Sequence, residues 1–108
     1  MPFPKQDKHD FTVSKISTME PNQAGVYGIF SGSGCIYLGT ADDIRASLLQ
    51  HVGRQSQQSG CIFEYQPQYW LAAVLEKKQV HTWERILWAE FEPFCEYQAI
   101  STRGKKIR

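Results

Sequence analysis

Two tyrosines, Tyr27 and Tyr37, stand ten residues apart, each inside a short apolar run: Val26-Tyr27-Gly28-Ile29-Phe30 and Ile36-Tyr37-Leu38. A free phenol has a pKa of about 10, so a tyrosine that takes up a proton near neutral pH needs a nearby cation to lower that value. The plainer reading is that an aromatic ring packs well on a pleated, half-buried surface. His51 is the next candidate, because an imidazole can accept a proton or bond a phosphate oxygen near neutral pH. It reads equally well as a surface histidine on a helix. Glu84 could simply face the positive end of a helix dipole. His9 and His81 fit no pattern.

The elements that must position these groups are legible in outline. Val26–Phe30 and Cys35–Leu38 flank the glycine-rich Ser31-Gly32-Ser33-Gly34, a hairpin signal. Ile44, Leu48 and Val52 then recur at i, i+4 and i+8, one stripe of a helix, with Thr40 as cap and Asp43 completing a capping box. Gly53–Gly60 is Ser/Gln-rich and reads as a solvated loop, and Cys61–Tyr65 is too short to assign. Tyr69–Glu76 is either a buried strand or a helix segment. Lys77-Lys78-Gln79 reads as a turn, and Thr82 as the cap of a second helix with Trp83, Leu87 and Phe91 inward, ended by Pro93. Met1–Asp10 reads as a mobile arm, Phe11–Ile16 as a short strand or extended cover, and Tyr97–Ile100 as an edge strand. Ser101–Arg108 is a basic tail.

Composition bounds the rest. The 108 residues suit one domain, 1–108, and 42% hydrophobic content with three Trp, six Phe and five Tyr excludes a disordered chain. A net charge of +1 argues against strong stand-alone affinity for DNA. Three cysteines without framework spacing argue against a disulfide scaffold or zinc site, and free thiols suit a reducing cytoplasm. The N-terminus lacks the apolar core of a signal peptide, and no apolar run is long enough to span a membrane.

Gly25-Val26-Tyr27 followed by Tyr37-Leu38-Gly39 resembles the paired motif of the GIY-YIG nuclease superfamily. His51 on the first helix and Glu84-Arg85-Ile86-Leu87 with Pro93 extend the resemblance over about residues 25–96. It implies an α/β (α+β) fold, a small, mostly antiparallel three-stranded sheet flanked by helices in the order β-β-α-β-α. It places Tyr69–Glu76 as a strand. It also implies metal-assisted hydrolysis of a phosphodiester in DNA. Tyr27 and His51 would handle the water's proton, Tyr37 would orient the site, and Glu84 would hold Mg²⁺ or Mn²⁺. The family's arginine falls at Ser47, and Arg45, two residues earlier, points about 200° away around the helix. Arg54, Arg85 or a partner protein's arginine could replace that charge. Gly39 and Ser47 would border the substrate. The family's lysine after the second motif is replaced by Thr40-Ala41-Asp42-Asp43, whose acids would repel phosphate, and its asparagine after the proline is Glu96. The alternative is a domain that keeps the nuclease fold but binds nucleic acid or protein without cutting.

A shared site makes one geometric demand. With Ser31–Gly34 as a four-residue loop, Tyr27 pairs with Leu38 and Tyr37 faces the other side of the sheet. A shared face therefore predicts a five-residue connection or a bulge, with Tyr27 opposite Gly39 and Tyr37 opposite Ile29.

Overall fold

Alternate residues of the hairpin point to opposite faces, and each face is covered by its own helices. A computed structural model describes residues 3–95. The elements are β1 (His9–Asp10), α1 (Val13–Ile16), β2 (Gly25–Ser31), β3 (Gly34–Ala41), α2 (Ile44–Val52), α3 (Ser59–Glu64), β4 (Tyr69–Val74) and α4 (Lys77–Phe91). Within these residues the sheet has four strands in the order β1-β4-β2-β3, every pair antiparallel. The α+β class expected from the sequence holds, with one more strand than expected.

β2 is central and buried along its whole length, which explains its nearly continuous apolar character. One face of the sheet joins Tyr27, Ile29, Ile36 and Tyr37 to Ile16 of α1, Ile44 and Leu48 of α2 and Ile62 of α3. The other face joins Val26, Phe30 and Leu38 to Leu87 of α4, with Val80, Trp83 and Phe91 half-buried against them. Gly25 is obligatory where β2 starts. Its φ is +158°, and a Cβ there would lie 2.0 Å from the Ala73 carbonyl oxygen.

Several local expectations are corrected. The N-terminal arm is packed down: Phe3 is buried against Phe30 and Phe91. The Gln6 amide bonds both backbone groups of Ala72 and so satisfies part of the β4 edge. Val13–Ile16 is a helical turn capped by Thr12, whose hydroxyl accepts the Lys15 N–H. Thr40 lies in β3, and Asp43 caps α2 by accepting from the Ala46 N–H. Lys77-Lys78-Gln79 forms the first turn of α4, which starts five residues before Thr82. The apolar positions Val80, Leu87 and Phe91 continue one stripe through that turn, so packing overrides its polar composition. Cys61 and Cys95 form a disulfide. An odd cysteine count forbids complete pairing but not a single cross-link, and the pair removes the free-thiol argument for a reducing compartment. Cys35 remains a free, buried thiol, pushed up to about 12 by that burial. The expected strand at Tyr97–Ile100 and the basic tail lie outside the described residues.

Candidate active site

The hairpin meets the geometric demand. β2 and β3 turn through Gly32 and Ser33, and the register shifts between Ile29 and Phe30, so that Tyr27 pairs with Gly39 and Tyr37 with Ile29. One extra residue in β3, Ile36, rotates Tyr37 onto the face of Tyr27. The two ring centroids are 6.2 Å apart. Gly39 makes this possible, because a Cβ there would lie 2.6 Å from the Tyr27 hydroxyl and 2.9 Å from the Tyr37 ring. Its place is under the phenols, leaving room for them.

α2 delivers His51 to the same point. Ile44, Leu48 and His51 form its buried stripe, and the imidazole is only 4% exposed. Its Nε2 is 2.7 Å from the Tyr27 hydroxyl, and its ring packs edge-on against Tyr37 at 5.2 Å. Nδ1 lies 2.6 Å from Ser56 Oγ, which in turn is 2.7 Å from Ser59 Oγ. Burial lowers the His51 pKa to about 4, so the ring is neutral at pH 7 and one nitrogen carries a lone pair. Sequence reasoning missed both serines, since Gly53–Gly60 reads as solvent-exposed loop. The available signal was Ser56 and Ser59 at i, i+3 just beyond a helix that ends in histidine.

The other predicted residues sit on α2, just after it and on α4. Ser47 is half-buried one turn before His51. Arg45 flanks the opposite side of the α2 stripe, with Nε out of water and no hydrogen-bond partner. The Arg54 guanidinium sits 4.0 Å over the Phe63 ring. Arg85 is exposed on the outer side of α4 beside Thr82, Ile86 and Ala89. Of the two acids after the second motif, Asp43 is taken by its cap and Asp42 pairs with Lys77 at 3.8 Å.

Glu84 needs one correction. It lies midway along α4, not in a first turn, so the helix dipole is not its partner. α4 packs its apolar stripe, Leu87 with Val80, Trp83 and Phe91, on the sheet face opposite the tyrosines, and Glu84 lies off that stripe. Its side chain is 16% exposed, and it pairs with the exposed His81, 3.8 Å away. Burial raises its pKa, and His81 only partly offsets this. Among the described residues no group of three or more His, Cys, Asp or Glu is placed to hold a metal, and no helix is long and apolar enough to cross a membrane.

Solved structures of one domain superpose on this chain. The GIY-YIG N-terminal endonuclease domain of UvrC from Thermotoga maritima, bound to magnesium, matches with a TM-score of 0.65 and 20% identity, over 79% of this chain and 96% of that one. The fold is that of a GIY-YIG endonuclease domain. A tyrosine-to-phenylalanine variant of the same UvrC domain, bound to its catalytic divalent cation, matches with a TM-score of 0.65 and 19% identity, over 79% and 96% of the two chains. No protein-family model and no curated protein sequence matches the chain.

Proposed function

We propose that this domain hydrolyses phosphodiester bonds in DNA, with Tyr27 and His51 as the proton-accepting pair. The observation that carries the reading is the 2.7 Å contact between the Tyr27 hydroxyl and Nε2 of a buried, neutral His51. With a histidine lone pair in reach, the Tyr27 hydroxyl has a proton acceptor of its own. As the attacking water gives a proton to the Tyr27 oxygen, the phenol passes its own proton to Nε2. The resulting hydroxide forms the new P–O bond, the bond to the leaving oxygen breaks, and that oxygen takes a proton from solvent. The imidazolium then returns its proton through Tyr27. A phosphodiester anion nearby raises the low pKa of His51 and favours the transfer. The positions replaced in three tyrosine-to-phenylalanine variants of the UvrC domain support the reading, because they have the spacing of Tyr27, Tyr37 and His51.

Glu84 fits a divalent cation by its chemistry: it is a carboxylate withdrawn from water, paired among the described residues with the His81 imidazole at 3.8 Å. A Mg²⁺ or Mn²⁺ held there would stabilise negative charge on the phosphate and leaving oxygen.

A second reading has its own support. Tyr27, Tyr37 and His51 are each no more than 4% exposed, and Ser47 brings no cation. Both facts suit a domain that binds nucleic acid or a protein partner without cutting. Incubation with branched and linear DNA, with Mg²⁺ or Mn²⁺, separates the two. Cleavage that is lost in Tyr27→Phe and His51→Ala supports the nuclease. Binding without cleavage in the wild type supports the second reading, and cleavage untouched by both substitutions would remove the pair from the mechanism.

A further inference from the structure

We propose that Ser56 and Ser59 are positioning residues that hold His51 in the Nδ1–H tautomer and so turn a lone pair toward Tyr27. Neither serine belongs to the tyrosine motifs, and both lie in the segment after α2. The proposal rests on the nuclease reading for its kinetic consequence, but not for its structural one.

The direction of the hydroxyl chain follows from its far end. Ser59 Oγ lies 3.4 Å from the His51 carbonyl oxygen, and a carbonyl can only accept, so the Ser59 proton points there. Ser59 Oγ already accepts the Ser56 N–H at 3.2 Å, which leaves its second lone pair for the Ser56 hydroxyl at 2.7 Å. The Ser56 proton is then committed, and its oxygen can only accept from His51 Nδ1 at 2.6 Å. In this direction of the chain Nδ1 carries the ring proton, and the reverse direction forfeits the Ser59 bond to the His51 carbonyl. Nε2 is left as an acceptor for the Tyr27 O–H at 2.7 Å. In this arrangement every hydroxyl donates once, and the chain begins at the phenol and ends on the backbone of the helix that carries the histidine.

The location favours a fixed orientation. Ser59 and His51 are each 4% exposed and Ser56 between them is half-buried, so water has limited access to these bonds. Ser59 opens α3, and Cys61, two residues on, is tied to Cys95. Cys95 is itself held to β3, its N–H bonded to the Ile36 carbonyl at 2.7 Å. The histidine's support is thus fastened to the strand next to Tyr37. Partners of this kind set tautomer and ring orientation wherever a histidine has one working nitrogen.

The test is a long-range ¹H–¹⁵N spectrum of the folded protein with labelled histidine, on wild type, Ser56→Ala and Ser56→Thr. The wild-type His51 should show a protonated Nδ1 and an unprotonated Nε2. Ser56→Ala should move the ring toward the Nε2–H form, and Ser56→Thr should retain the wild-type pattern. With a cleavable DNA, Ser56→Ala should lower kcat by about 10–100-fold at unchanged KM, and Ser56→Thr should restore it. A wild-type ring protonated at Nε2, or a tautomer unchanged in Ser56→Ala, would overturn the proposal. An altered tautomer with unchanged kcat would overturn the positioning role. If the wild type cuts no DNA, the nuclease reading fails alone, and the spectrum still decides the tautomer.

Discussion

On the nuclease reading proposed above, Ser47 is where the chain departs most from a complete phosphoryl-transfer site. It lies one turn before His51 on α2, half-buried, and a hydroxyl there offers no charge to a phosphate. Loss of one preorganised donor to a transition-state oxyanion costs about 2.7–4 kcal/mol, or 10²–10³ in rate. Ser47→Arg should therefore raise metal-dependent cleavage by up to about that factor. Adding Tyr27→Phe or Glu84→Ala should abolish the gain. Robust wild-type cleavage that survives Arg54→Ala and Arg85→Ala would instead point to Arg45. His51 gives a second residue-scale prediction. Its pKa falls from 6.5 to about 4 on folding, so between those values the unfolded chain binds more protons. Stability contributed this way is complete above pH 6.5 and lost as pH falls toward 4, by about 3 kcal/mol at most. Glu84, shifted upward, acts in the opposite sense, so the comparison is with His51→Gln. Urea unfolding at pH 4, 5, 6 and 7 should show a shallower dependence in that variant.

α4 separates structure from chemistry within one helix. Leu87 is fully buried on the side facing β2 and β3, and Leu→Ala at such a site costs about 2–5 kcal/mol. Leu87→Ala should lower the Tm sharply. Trp83→Ala should cost less than a fully buried Trp, because Trp83 is half-buried. Glu84→Ala should leave the Tm nearly unchanged, and a large loss of stability there would make Glu84 a structural anchor. The disulfide acts between elements, joining α3 to the segment after α4 across 34 residues. On loop-closure entropy, cross-links of this span stabilise by about 3–4 kcal/mol. Reduction, or the double substitution Cys61→Ser with Cys95→Ser, should shift the denaturant midpoint down by a corresponding amount. Much at this scale was legible from the sequence. The hairpin and α2 follow from period-2 and 3.6-residue patterns interrupted by glycine, whereas plain alternation would put Tyr27 and Tyr37 on opposite faces, and only the demand that the two motif tyrosines share a site called for the bulge. Less legible were features set by distant partners. The first turn of α4 is polar and is helical because Val80 packs on the sheet. Ser56 and Ser59 look like loop residues because their partner, His51, is fixed only once α2 has docked.

At the scale of the molecule, charge decides how DNA could be held. Twelve Lys and Arg stand against eleven Asp and Glu, a net charge of +1. The basic residues are unevenly spread. Arg103, Lys105, Lys106 and Arg108 fall in the last six positions, where there is no acid. Without that tail, eight basic residues face eleven acidic ones, and the rest of the chain is a polyanion of net charge −3. Phosphate contacts release counterions, and the slope of log K against log salt is about −0.9 per contact on duplex DNA. If the tail supplies most contacts, truncation after residue 100 should reduce that slope by up to about 3–4. It should also weaken binding by a similar factor on every sequence tested, because phosphate contacts carry no base information. Fluorescence anisotropy with labelled duplexes between about 20 and 200 mM salt, a range over which screening tightens severalfold, measures both quantities. An unchanged slope after truncation would place the contacts on the folded domain, with Arg45, Arg54 and Arg85 as the cations to replace next.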